Sequence, residues 1–159
     1  MSGRNLTILV LITLGLFACE ASSAAPTPQP LTYYLHEASA GVEAGNYGEA
    51  VSLLEQASQV YPTSTLPLTQ LGHVYLTRRQ WKPAEDAFNR ALARDLDNGL
   101  ATAGLAEVYL NQGKPYEALK LWQRAAEAEP NLPGVFTGLG RTYLDRLDFE
   151  KARSAFLAQ

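Results

Sequence analysis

An all-α array of stacked helix pairs is the fold class this sequence predicts, and three observations predict it. Alanines recur at Ala50, Ala84, Ala118 and Ala152, each 34 residues after the last. Other positions keep the same register. Small residues stand at Ala38, Gly72, Ala106 and Gly140, and Gly41, Tyr75, Tyr109 and Tyr143 follow three positions later. Leu54, Phe88, Trp122 and Phe156 follow the alanines by four, and Ala57, Ala91, Ala125 and Gln159 come three further on. Within each period, apolar residues return at three- and four-residue spacing, the mark of amphipathic helices. A chain of 159 residues with 47% hydrophobic and 18% charged residues has the composition of an ordered globular protein.

In chain order, the first element is an uncharged run from Leu6 to Ala18 behind one basic residue, Arg4. As a helix it would reach about 20 Å, short of a hydrocarbon core of about 30 Å. It therefore reads as the basic start and apolar centre of a secretory signal over residues 1–18. Two cleavage sites compete. One follows Ser22-Ser23-Ala24; the other precedes Cys19, the only cysteine. A single thiol forms no intramolecular disulfide and completes none of the multi-cysteine zinc or redox motifs. Leu16-Phe17-Ala18-Cys19 resembles the lipobox of bacterial lipoproteins, with Phe17 departing from the usual small or aliphatic residue. That resemblance implies a diacylglyceryl group on Cys19. Glu20 replaces the aspartate tied to inner-membrane retention in some Gram-negative lipoproteins, which favours an outer membrane if the source has one. Residues 19–30, small and Pro-rich, predict an extended tether; the eleven from Glu20 to Pro30 span about 35 Å at ~3.1 Å each.

The repeats then occupy residues 31–64, 65–98, 99–132 and 133–159. Pro62 and Pro130 close the first and third, and Gly45 and Gly113 mark turns between paired helices, where a left-handed residue ends a helix. The small positions predict close backbone approach, and the Tyr and Phe/Trp positions predict core. "LGHVYLTRRQWKPAEDAFNRAL" and "LAEVYLNQGKPYEALKLWQRA" resemble the tetratricopeptide repeat (TPR) family nearly throughout, and the resemblance covers Leu31 to Gln159. It implies a right-handed α-α superhelix of about four helix-turn-helix units. The fourth unit stops inside its second helix, which would leave Phe149, Phe156 and Leu157 uncovered. Further repeats, a docking partner or self-association at that end are the alternatives.

Chemistry is sparse. His36 and His73 lack metal-ligand spacing and read as isolated surface histidines; there is no phosphate-cradling glycine loop or nucleophile elbow. No catalytic residue, metal site or cofactor is predicted. A net charge of −3 without a basic cluster argues against nucleic acid.

The TPR resemblance implies a concave groove lined by the first helix of each unit. One ladder is Thr69, Ala103 and Thr137. A second is Ser39, His73, Glu107 and Arg141. A third is Val42, Leu76, Leu110 and Leu144, beside Glu43, Thr77, Asn111 and Asp145. Relatives that clamp a chaperone's terminal carboxylates use Lys, Arg and Asn here. This chain offers only Arg141 and Asn111, and Glu107 and Asp145 repel a carboxylate. The aliphatic strip reads equally as partner-binding or as partly buried packing. The expected function is a noncatalytic scaffold that holds a protein or peptide segment in this groove. It would be lipid-anchored through Cys19 on an extracytoplasmic membrane surface and serve envelope, pilus or secretion complex assembly. The alternatives are an accessory module of a larger envelope enzyme, or a secreted or periplasmic protein.

Overall fold

A computed structural model describes residues 28–158; the apolar run, Cys19 and Gln159 lie outside the described residues. Eight α-helices follow one another, and no strand occurs among the described residues. They are α1 (Leu31–Glu43), α2 (Tyr47–Val60), α3 (Leu66–Thr77), α4 (Trp81–Arg94), α5 (Gly99–Asn111), α6 (Pro115–Ala128), α7 (Val135–Asp145) and α8 (Phe149–Leu157). Each repeat span thus holds a helix pair, as the register predicts, and the whole is the right-handed α-α solenoid that the TPR resemblance implies.

One local device joins the two helices of every pair. A residue with positive φ ends the first helix: Gly45 (78°), Arg79 (56°), Gly113 (73°) and Leu147 (60°). The next amide in each turn donates back across five residues, Asn46 to Gly41 O, Gln80 to Tyr75 O, Lys114 to Tyr109 O and Asp148 to Tyr143 O, at 2.7–2.9 Å. This 6→1 bond is the Schellman arrangement, which satisfies carbonyls the helix end would otherwise orphan. Glycine takes the left-handed conformation freely, whereas Arg79 and Leu147 hold it at a cost of roughly 1–2 kcal/mol each. The shared hydrogen bonds and packing override that local preference.

Polar side chains stitch one pair to the next. Arg94 on α4 donates to the carbonyls of Ser58 (2.9 Å) and Ser64 (2.6 Å), covering the C-terminal end of α2 and the following turn. Asn98 caps α5 by accepting from the Ala101 amide (2.8 Å) and donates to Thr65 Oγ1 (3.0 Å) at the start of α3. Within the third pair, Glu129 just past α6 accepts from the Gly99 amide (3.0 Å) at the start of α5. Arg90 and Glu55 form a two-pronged ion pair (2.7 and 2.8 Å) between α4 and α2. Both side chains are about a third exposed, so solvent screening holds its worth to under about 1 kcal/mol. Ser58, Thr69, Thr102 and Thr142 are buried, yet each hydroxyl donates to a carbonyl three or four residues back, at 2.7–2.9 Å.

Spacing between pairs is set by aromatic rings seated on glycine. Phe88 on α4 is fully buried between α3 and α5. A Cβ on Gly72 would lie 2.5 Å from its ring, and one on Gly104 would lie 2.3 Å away. Trp122 meets Gly138 of α7 in the same way (2.4 Å), and Phe156 meets Gly140 (2.5 Å). At the C-terminal end, Phe149 (63% exposed) and Leu157 (79%) are open to solvent, and Phe156 is half-buried.

Gly104→Ala tests the seat. Alanine's helix propensity favours the variant by about 1 kcal/mol. Overpacking opposes it by about 1–3 kcal/mol, and a ring gripped from both sides cannot swing away. Urea unfolding should therefore show net destabilisation. Phe88→Leu in the same chain should relieve part of it, giving a double mutant more stable than the two single losses added together.

Candidate partner-binding groove

The helices sort into two layers. α1, α3, α5 and α7 touch in series, α1 to α3, α3 to α5 and α5 to α7; α2, α4, α6 and α8 touch only members of that first set. The first set is therefore the inner, more tightly spaced layer of a curved stack, and its free face is the concave one.

That face carries three hollows in a row. The first, about 260 Å³, lies between α1 and α3 over buried Ala38, Leu54 and Val74, with half-buried Val42; exposed Ser39 and Glu43 border it. The second, about 270 Å³, lies between α3 and α5 and is polar: His73, Thr77, Arg79, Glu107 and Asn111 join Leu76 and Trp81. The third, about 280 Å³, lies between α5 and α7. Leu100, Ala103, Gly104, Trp122, Leu132 and Gly138 make it apolar, and Glu107, Thr137 and Arg141 line it as well. His73 lines all three.

The predicted groove residues divide accordingly. His73, Leu76, Ala103, Glu107, Asn111, Thr137 and Arg141 are gathered on these hollows. Thr69 is not: it is 1% exposed in the first turn of α3, its hydroxyl donating to Leu66 O at 2.9 Å. Leu110 is also interior, 7% exposed and part of the core with Ala118, Trp122 and Leu139. Leu144, in the same register, is 42% exposed. α5 has an inner-layer neighbour on each side, whereas α7 has one among the described residues. Leu144 and Asp145 border none of the three hollows. Leu110→Ser would therefore damage the core and cannot serve as a surface probe.

Two expectations need correction or extension. His73 is no isolated surface histidine. It is half-buried, its ring edge-on to Phe88 with centroids 5.2 Å apart. Gln70, Trp81, Leu100, Trp122 and Leu132 line the hollows although the ladder positions do not include them. The signal that points to them is a register position, His36, Gln70, Gly104 and Gly138, where glycine replaces a long side chain in the last two units. Those glycines line the third hollow.

Burial pushes the His73 imidazole below its ordinary 6.5, and the Glu107 charge only partly opposes this. His73 is therefore mainly neutral at pH 7. The Glu107 carboxylate has no cation within ion-pair distance among the described residues. No group of three or more His, Cys, Asp or Glu side chains suited to a metal occurs among the described residues, and none of their helices is long and apolar enough to cross a membrane.

Paired antiparallel helices stacked at a fixed period define a helical-repeat solenoid, a class whose working surface is the inner layer. Residues 42–108 match the tetratricopeptide repeat, so this stretch of the chain is built of tetratricopeptide repeats. It is 29% identical over 106 residues to anaphase-promoting complex subunit 3 of Schizosaccharomyces pombe, covering 67% of this chain and 16% of that protein. It is 37% identical over 99 residues to cellulose synthase operon protein C of Xanthomonas axonopodis pv. citri, covering 60% of this chain and 6% of that one. The chain thus spans a small part of the curated relatives it matches. Among solved structures it resembles TTC0263, a thermophilic TPR protein of Thermus thermophilus (TM-score 0.71, 19% identity, 81% of this chain and 72% of that). It also resembles MamA (TM-score 0.68, 20% identity, 82% and 77%). A third is the first TPR of Spaghetti (RPAP3), solved with the HSP90 peptide SRMEEVD (TM-score 0.66, 20% identity, 74% and 93%). At these identities the likeness is one of fold.

The neutral, half-buried state of His73 predicts a pH dependence. Its folded pKa is depressed, so the stability it contributes is fully present above the unfolded value of 6.5 and is lost as pH falls through the folded value. Glu55, held low chiefly by its hydrogen bond from Arg90, acts only below about its ordinary 4.5. Between pH 7 and 5.5 the urea midpoint should fall in the native chain and stay flatter in His73→Gln.

Proposed function

We propose that this protein is a noncatalytic scaffold that holds a segment of another protein in the concave groove. The observation that carries the reading is the row of three hollows, with the Glu107 carboxylate between the second and third meeting no cation within ion-pair distance among the described residues. TPR domains as a fold bind peptides in this manner, and the RPAP3 domain does so with its HSP90 peptide. The partner here differs in chemistry. Glu43, Glu107 and Asp145 on the inner helices disfavour a strongly acidic terminus, and Arg141 alone would face it from the third hollow.

The scaffold is further proposed to be tethered through a lipid on Cys19 and displayed outside the cytoplasm, in envelope, pilus or secretion complex assembly. The apolar run before Cys19 and the Pro-rich stretch after it support this. A second reading makes these repeats the accessory module of a longer envelope enzyme. It is favoured by the relatives' much greater length, of which the chain spans 16% and 6%.

A photo-cross-linking amino acid at Asn111, exposed on the groove, should trap partner protein in native cells. The same group at Gln123, exposed on outer helix α6, should not. Labelling with a palmitate analogue should mark the native chain and not Cys19→Ala, which should leave the membrane fraction. Adducts at position 123 but not 111 would refute the groove reading, and label retained by Cys19→Ala would refute the tether.

A further inference from the structure

Taking the groove as the binding surface, we propose that it selects an extended segment with two bulky apolar side chains six residues apart and a lysine or arginine between them. The order of the hollows dictates the pattern. The first and third are apolar and the second is polar, so the segment must alternate in kind as it crosses α1 to α7.

The spacing follows from helix geometry. The first hollow lies between α1 and α3 and the third between α5 and α7, two inner-helix spacings apart. Packed helix axes are about 8–10 Å apart, which separates the two hollows by about 16–20 Å. An extended chain advances ~3.3 Å per residue, so five or six residues cover the distance. Parity chooses between them. Side chains of an extended chain alternate faces, so residues i and i+6 point the same way while i and i+5 point oppositely. A helical segment would need about twelve residues for the same reach.

The charge comes from the middle. Glu107 lines both the second and third hollows and meets no cation within ion-pair distance among the described residues. Glu43 borders the first hollow. His73, shared by all three, is mainly neutral at pH 7 because of its burial. Arg141 lines the third hollow and draws an acidic residue to that end alone; Arg79 reaches the second hollow from the exposed turn after α3, so Glu107, shared with the third hollow, draws a basic residue to the α5 side of the centre. By parity that basic residue sits at i+2 or i+4, flanking the midpoint and pointing inward.

The test uses fluorescein-labelled, end-blocked peptides, with affinities read on the native full chain and Trp81→Phe, itself a change at the second hollow, used only to read the emission of Trp122 at the third as the sole tryptophan. The parent peptide carries leucines at i and i+6 and lysines at i+2 and i+4 in a serine background. It should bind at least about tenfold tighter than the same peptide with leucines at i and i+5, the loss expected for one displaced apolar anchor. It should also change Trp122 emission saturably. Glutamate in place of both lysines should weaken binding at least about tenfold, and Glu107→Gln should shrink that lysine-against-glutamate difference. Ala103→Phe should fill the third hollow and reduce affinity to that of a one-leucine peptide; Thr137→Phe at the mouth does the same from an exposed position if the first variant fails to fold. Equal binding of the i+5 and i+6 peptides, indifference to lysine, a silent Trp122, or no binding by any peptide overturns the proposal. If position 111 still cross-links a native partner, only this selectivity falls; if that too is lost, the groove reading falls with it.

Discussion

A ring pressed against a bare helix backbone is the contact on which this structure depends. Phe88 can lie between α3 and α5 only because Gly72 and Gly104 present no side chain to it. The paired distances, 2.5 and 2.3 Å to a hypothetical Cβ, mean that even one methyl group on either side would need the helices to part. Trp122 on Gly138 repeats the contact between pairs and Phe156 on Gly140 the contact within one, so ring thickness meters the separation of α4 from α5 and of α6 from α7. Leu54 stands in the same register beneath the first hollow, where Gln70 occupies the position that is glycine later. Smaller knob and larger neighbour compensate. This is packing complementarity at close to interior density, repeated along one axis.

The same glycines shape the surface that faces a partner. Gly104 and Gly138 both line the third hollow; Phe88 lies behind Gly104, and Trp122, buried to 7% exposure, lies behind Gly138 and forms part of the hollow's wall. Packing and recognition are thus two consequences of one substitution pattern. A side chain added at Gly138 would displace the indole and occupy the hollow together. The polar centre has a different origin. His73 is caught between the Phe88 ring and the groove, so burial keeps it neutral, and Glu107 opposite is left with its charge unanswered.

Much of this was legible in the sequence, because a 34-residue period forces equivalent positions into equivalent surroundings. The helix pairs, the small positions and the Gly45 and Gly113 turns follow from local rules. What was not legible is what depends on neighbours. Arg79 and Leu147 adopt the left-handed turn without being glycine, since the bond from the next amide and the packing of the pair impose it. Leu110 and Leu144 share a register but not a burial, for α5 is flanked on both sides in the inner layer and α7 on one among the described residues. Thr69 fits a groove ladder by number, yet lies in the first turn of α3 with its hydroxyl bonded inward. Register assigns a face; the adjoining helices decide how deep that face lies.

The central claim is that partner capture occurs on the inner layer. Amide chemical-shift mapping of the labelled protein with its cross-linked partner segment tests it most directly, since it reads every helix at once. Saturable shifts concentrated at Ser39, Thr77, Asn111 and Arg141, with the outer faces of α2, α4 and α6 unmoved, are the predicted result. Shifts confined to those outer faces or to the exposed end around Phe149 and Leu157 would contradict it.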